Sequence, residues 1–386
     1  MNAPRRFQPF ETAQLKPEPP NNGFQSGARL KPGVGQSMRS LCRDVDSRYP
    51  GMELDWSHIR TIIVRLVAAG LLLATALPAA GQPAPKVYRV GFLTVGPASP
   101  STTFEAFSQG MREAGYVEGR NVVVQARFAG GSLERIPGLV AELLELKPDV
   151  LVAGSPAVAA AAKKASATVP IVFAGVGDPV ASGIVASLAR PGGNVTGTAV
   201  GVSDPAFGGK WLQLLKEAVP GISHVAVLAN RSNRSNSPYF MGIEAAARAM
   251  KVRIDVFDAG NEAQLEQAFA AIAGSGAQGM IVSTDPFLFT ARARLVSFAA
   301  SKRLPAMYFF KNFVDEGGFM SYGANIEDSY RRAAPYVDKI LKGAKPGELA
   351  VEQPTRFEFA VNKATARALG IGIPRLVLMR ADYVIE

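Results

Sequence analysis

Two residue types that carry much of protein chemistry are almost missing from this chain. Its 386 residues hold one cysteine, Cys42, and two histidines, His58 and His224. A single cysteine excludes an intrachain disulfide. So small a Cys/His inventory also argues against a zinc site and a histidine-based triad. His224 opens the apolar run HVAVLAN and reads as a strand-end polar residue. Nucleotide-binding signatures are absent too. There is no G-x-x-x-x-G-K-[ST], and Gly91 is followed by FLTVG rather than by G-x-x-G. Gly192-Gly193 follows a predicted helix and precedes a strand, the reverse of a phosphate loop. No G-x-S-x-G occurs and no base sits beside a serine or threonine. No cofactor, no metal and no catalytic residue is expected, so the chain does not read as an enzyme. Nor does any Lys/Arg run carry interleaved aromatics, which argues against nucleic acid.

The formal net charge is +10, with 48% hydrophobic and 19% charged residues. The first 81 residues hold ten Lys/Arg against six Asp/Glu, so the excess over the rest is mild. Residues 1–51 are rich in Pro, Gly, Asn and Gln without helical or strand period, and read as disordered. Arg60 and Arg65 then precede the apolar run Leu66 to Ala80, broken by Pro78 and followed by small residues. A run of about 15 is short of the roughly 20 needed to span a bilayer. The pattern is that of a secretory signal peptide over 52–81. Cleavage before Gln82 and cleavage after Ala80 both fit. No cysteine follows the run, so no lipid anchor is expected. A signal so far from Met1 suggests that 1–51 come from an over-extended reading frame and that Met52 is the start.

From Lys86 onward, apolar strands alternate with amphipathic helices. Strands are predicted at Val87–Val95, Asn121–Phe128, Asp149–Ala153 and from Ile171 to about Gly175. Helices are predicted at Ser101–Ala114, Leu133–Leu146 and Ala157–Ala167. A glycine-bracketed turn, Gly175-Val176-Gly177-Asp178-Pro179, leads to a short apolar helix, Ser182–Leu188, and a strand, Val195–Val200. After the helix Pro205–Val219 the pattern restarts with strands at His224–Asn230, Val252–Phe257, Gly279–Ser283 and Ala306–Phe309, separated by helices predicted at Asn236–Met250, Glu262–Ile272 and Leu288–Ser301. Strand Gly317–Tyr322 and helix Ile326–Leu341 follow, then strand Phe357–Val361 and helix Lys363–Leu369. Such alternation means βαβ units and a parallel sheet. The same series twice predicts an α/β chain of two doubly wound, Rossmann-like lobes joined by a multi-strand hinge. The expected division is 82–202 with 318–345 for the first lobe and 203–317 with 346–386 for the second, with a crossing near Gly201-Val202-Ser203.

Open α/β sheets bind ligands beyond the carboxyl ends of their strands. The turns there carry Thr94, Ser155, Ala157, Asp178, Asn230, Asn233, Asp285, Phe309 and Tyr322. Ser155-Pro156 combines a good N-cap with proline at the first helical position, so the N–H groups behind it could face a ligand anion; an ordinary cap fits as well. Asp178 and Asp285 each precede proline, so each is either a turn initiator or a partner for a ligand ammonium. Phe309 and Tyr322, like Tyr308, are either core residues or a ligand-stacking surface. Arg231 and Arg234 are solvated or meet a second acidic group.

Four stretches carry a family resemblance: GFLTVG, FSQGMREAGYVEGRNVVVQARFAGG, IVFAGVGDPVASGIVASLARPGGNVTG and MSYGANIEDSYRRAAPYVDKILKGAKPGELAVEQPTRFEFAVN. Over Val87 to Glu386 the chain resembles ABC-transporter substrate-binding proteins of the tryptophan/tyrosine-type group. The resemblance implies a type I periplasmic-binding-protein-like fold, a monomer with its ligand between two lobes, a periplasmic location, and permease and ATPase subunits as partners. By analogy with amino-acid binders of this fold, Ser155 and Ala157, with Thr94, would hold a ligand carboxylate. Asp178, Asp285 and Phe309 would hold the rest. The expected ligand is amino-acid-like or an aromatic carboxylate. A ligand-sensing module without transport is the alternative.

Overall fold

The computed structural model describes residues 58, 61–62, 65–66, 86–98, 101–201 and 204–386. The chain divides into two units, 1–81 and 82–386. In the first, only His58, Thr61, Ile62, Arg65 and Leu66 are described, all helical. The expected disorder of 1–51 and the cleavage site therefore lie outside the described residues, as do Val202 and Ser203 of the expected crossing. Among the described residues, no helix is long and apolar enough to cross a membrane.

The second unit contains two sheets. The first is wholly parallel, ordered β2-β1-β3-β4-β5. Its strands are β1 (Tyr88–Thr94), β2 (Val122–Phe128), β3 (Val150–Gly154), β4 (Ile171–Val176) and β5 (Val195–Ala199). Between them run α1 (Thr102–Glu113), α2 (Ile136–Glu145) and α3 (Pro156–Ala165). Successive residues of β1 explain the double winding. Phe92 joins a cluster with Phe107, Met111 and Tyr330, while Leu93 joins another with Val140, Leu143 and Val158. Both faces are apolar, as a parallel sheet covered on both sides requires.

The second sheet has seven strands, ordered β12-β11-β10-β9-β8-β6-β7. They are β6 (His224–Ala229), β7 (Arg253–Asp258), β8 (Gly279–Val282), β9 (Ala306–Tyr308), β10 (Met320–Gly323), β11 (Glu358–Asn362) and β12 (Tyr383–Ile385). Only the β10–β11 pair is antiparallel. The helices are α4 (Pro205–Ala218), α5 (Ser237–Met250), α6 (Glu262–Gly274), α7 (Pro286–Thr290), α8 (Arg292–Ser301), α9 (Asn312–Asp315), α10 (Ile326–Leu341), α11 (Lys363–Leu369) and α12 (Arg375–Leu378). His224 pairs with Asp255 on the neighbouring strand at 2.8 Å, a structural role.

Three expectations need correction. Residues 182–188 form turns rather than a helix. Gly183 sits at φ +68°, and the N–H groups of Ile184 and Val185 return to the Pro179 carbonyl, which folds the segment back on itself. The predicted helix 288–301 is two, α7 and α8, meeting at Ala291. The expected return of 318–345 to the first lobe holds only for α10. That helix packs on α1, β4 and β5, whereas β10 pairs with β9 and β11 in the second sheet. Residues 349–352 also lie along β5, where Glu352 bridges Thr198 and Val351 donates to the Leu188 carbonyl. The chain thus passes between lobes three times: after β5, between β10 and α10, and between Glu352 and β11. Several parallel crossings confine relative motion of the lobes to a hinge.

Candidate functional site

The carboxyl-end loops of β1, β3 and β4 in the first sheet and of β8 and β9 in the second meet at one gap, where they line a cleft of about 810 Å³ counted out to its mouth. The first lobe contributes Thr94 to Pro97, Ser101 to Thr103, Gly154, Gly175, Ile326 and Tyr330; the second contributes Thr284 to Pro286, Phe289, Thr290, Arg292, Phe310 and Asn312. Three aromatic rings, Phe289, Phe310 and Tyr330, face a rim of hydroxyls. This mixture of apolar body and few polar groups is typical of a small-molecule site.

Tyr330 forms the floor. Its hydroxyl donates to the Gly154 carbonyl at 2.8 Å and lies 3.3 Å from Thr94 Oγ1. Burial pushes its phenol up to about 12, so it stays neutral. The ring fits because residue 154 has no side chain: a Cβ there would stand 2.5 Å from the Tyr330 hydroxyl. Tyr330→Phe withdraws a buried donor, and the protein is expected to lose about 1–2 kcal/mol of stability, measurable by urea denaturation.

Asp285 stands at the second lobe's rim and is almost fully buried. Its Oδ1 accepts from the N–H groups of Phe287 and Leu288, capping α7; its Oδ2 accepts from Asn230 Nδ2 at 3.1 Å and Asn233 Nδ2 at 2.9 Å. Burial pushes its carboxyl above the ordinary range, and the four N–H donors oppose that shift. Four donors fill the lone-pair directions of a carboxylate. Asp285 therefore has no free site for a ligand ammonium.

The other expected site residues divide. Ser155 is buried, caps α3 through Val158 N at 3.1 Å, and lines neither the main cleft nor the side cavity described below. Asp178 also lines neither; its Oδ1 accepts from Val180 and Ala181 at 2.9 Å, the turn role. Phe309 is buried in a cluster with Phe207 and Trp211, and Tyr322 stacks on Phe207 at 5.3 Å. Both are packing residues, outside both cavities. Ala157, Asn230 and Asn233 line a side cavity of about 720 Å³ counted out to its mouth, which shares Asp285 and Pro286 with the main cleft. Arg234 borders it, while Arg231 is solvated. Only Thr94 and Asp285 of the nine line the main cleft. Of the residues missed, Phe289, Tyr330 and Ser101 to Thr103 lie inside or at the start of predicted helices, whereas Phe310 directly follows the predicted strand Ala306–Phe309. Nothing in the periodicity distinguishes them from core.

Two contacts clamp the lobes across the gap. Glu327 of α10 accepts from Thr102 Oγ1 at 2.9 Å and, across the gap, from Asn312 Nδ2 at 2.8 Å on a single oxygen. At the opposite flank the hydroxyls of Ser182 and Ser235 meet at 2.6 Å.

Two doubly wound lobes, three crossings and a cleft walled by both lobes define a type I periplasmic-binding-protein-like architecture, a class built to close on a small molecule. The chain belongs to the family of ABC transporter substrate binding proteins, which matches over residues 94–385. It is 24% identical over 265 residues to a tyrosine-binding protein of Clostridioides difficile, covering 69% of this chain and 75% of that one. Among solved structures it resembles a conserved domain protein of Vibrio cholerae, at 27% identity and TM-score 0.72, covering 78% of this chain and 100% of the other. An ABC domain from Streptococcus pneumonia, solved in complex with L-Trp, gives the same TM-score and coverages at 23% identity.

Proposed function

We propose that this protein is a solute-binding protein that captures a small molecule in the interlobe cleft and delivers it to an ABC importer outside the cytoplasm. The observation that carries this reading is the cleft itself, whose walls come from both lobes and whose flanks are clamped by Glu327–Asn312 and Ser182–Ser235. A ligand filling such a cleft touches both lobes only when they are closed, so its binding energy favours closure by its differential affinity for that state. Capture is reversible and no bond is made or broken. The signal pattern over 52–81 supplies export, and a permease with its ATPase would receive the closed form.

The ligand class that fits the aromatic walls is amino-acid-like or an aromatic carboxylate. The names of the relatives, one tyrosine-binding and one holding L-Trp, support a ligand of that size and ring character. Screening amino acids, organic acids and aromatic acids by thermal shift is expected to give an upward shift with at least one of them. Small-angle scattering should then show a smaller radius of gyration with ligand than without. An unchanged radius at saturation rejects the closure mechanism.

A further inference from the structure

The cleft's hydrogen-bond inventory is one-sided. Asp285 is the one carboxylate among the residues lining it, and each of its oxygens already accepts two N–H bonds. Glu327, nearby, does not line the cleft, and its Oε1 is taken by Thr102 and Asn312. Donors, in contrast, are in surplus. Thr284 is 8% exposed, lines the cleft, and its hydroxyl has no protein partner. Ser101 is 9% exposed; its oxygen accepts from Phe104 N at 3.4 Å, which leaves its own O–H to donate. Behind Ser101, the N–H groups of Thr102 and Thr103 at the start of α1, a helix of 12 residues, are not taken by the cap, and both residues line the cleft. Arg292 lies over the Phe289 ring at 5.2 Å, with Nε held by Glu316 at 3.2 Å and Nη1 reaching the Phe289 carbonyl at 3.4 Å. Its Nη2 is uncommitted.

A ligand ammonium buried here would meet a guanidinium and no free carboxylate. An unpaired buried charge is strongly disfavoured. A ligand carboxylate would find hydroxyl donors, a helix N-terminus and a cation, each of which favours an anion. From this inventory, and resting on the reading of the cleft as a ligand site, we infer that the protein's ligand is an aromatic carboxylic acid lacking an α-amino group. Its ring would sit among Phe289, Phe310 and Tyr330, and its carboxylate would face Thr284, Ser101 and Arg292.

Three matched pairs isolate the amino group: 3-phenylpropionate with L-phenylalanine, 3-(4-hydroxyphenyl)propionate with L-tyrosine, and indole-3-propionate with L-tryptophan. Isothermal titration of the full chain with all six is expected to show at least one propionate binding tenfold or more tighter than its amino-acid partner. Thr284→Val and Arg292→Gln, each first shown to melt as the wild type does, are expected to weaken that propionate about tenfold. An amino acid that binds more tightly than its propionate overturns the ligand class while leaving the binding reading intact. Unaltered propionate affinity in both variants overturns the placement of the carboxylate. Silence from all six compounds overturns the ligand class as well. If the wider solute screen is then also silent, the binding function falls with it; a hit elsewhere preserves it.

Discussion

Asp285→Ala is expected to be among the most destabilising single substitutions at the cleft, costing about 3–5 kcal/mol, the order expected for stranding four buried N–H donors. The mutation strips a near-fully buried site of its only acceptor for four N–H groups. Two belong to the first turn of α7, the helix that carries Phe289 and Thr290 to the cleft. The other two belong to Asn230 and Asn233, which hold the loop after β6. Each stranded donor costs about 1 kcal/mol or more. Asp285→Asn keeps the shape but turns one acceptor into a donor facing N–H groups, so about half the loss is expected. Urea denaturation followed by circular dichroism measures both. Because the carboxylate is engaged internally, ligands with and without an amine should lose affinity by the same factor in Asp285→Asn. A loss confined to amine-bearing ligands would show instead that Asp285 meets the ligand directly.

Gly242→Ala should cost about 2–4 kcal/mol, although alanine is the better helix former by about 1 kcal/mol. Helices α4 and α5 cross at their glycines. A Cβ on Gly242 would stand 1.6 Å from the Pro205 carbonyl oxygen, and one on Gly208 would stand 2.1 Å from that of Tyr239. Both obstacles are backbone and cannot rotate away, so the helices must part and loosen Phe207, Trp211 and Tyr239 between them. Gly138 in α2 is the control. It is exposed with no atom within 4 Å of its would-be Cβ. Gly138→Ala should therefore stabilise the protein by roughly 0.5–1 kcal/mol. Equal effects at the two positions would show that helix propensity, not the crossing, sets the outcome.

Much of the architecture is written in local pattern. Strand and helix periods differ enough that the alternation from Tyr88 to Leu369 is readable, and α10 and α11 begin and end where their periodicity does. Caps are readable as well: Ser155-Pro156 and Asp285-Pro286 each open a helix, since a polar cap and a proline at the first helical turn are local preferences. The turn over 182–188 was not, because its apolar residues Ile184 and Val185 point into the first lobe's core without helical geometry. Lobe membership failed for β10, because a four-residue strand carries no mark of which sheet it will join.

Thus the sequence by itself determined the two α/β series and the family, both consequences of periodicity and short-range chemistry. Which turns meet was decided only by the tertiary structure. Asp178, Ser155 and Asp285 look equally available in the chain, yet each satisfies N–H groups of its own turn or helix, and Phe309 is enclosed by residues about a hundred positions away. Phe289, Tyr330 and Thr284 reach the cleft only because three crossings set one lobe's strand ends against the other's. A polar group's availability depends on what packing leaves unpaired, and packing is fixed by contacts far apart in sequence.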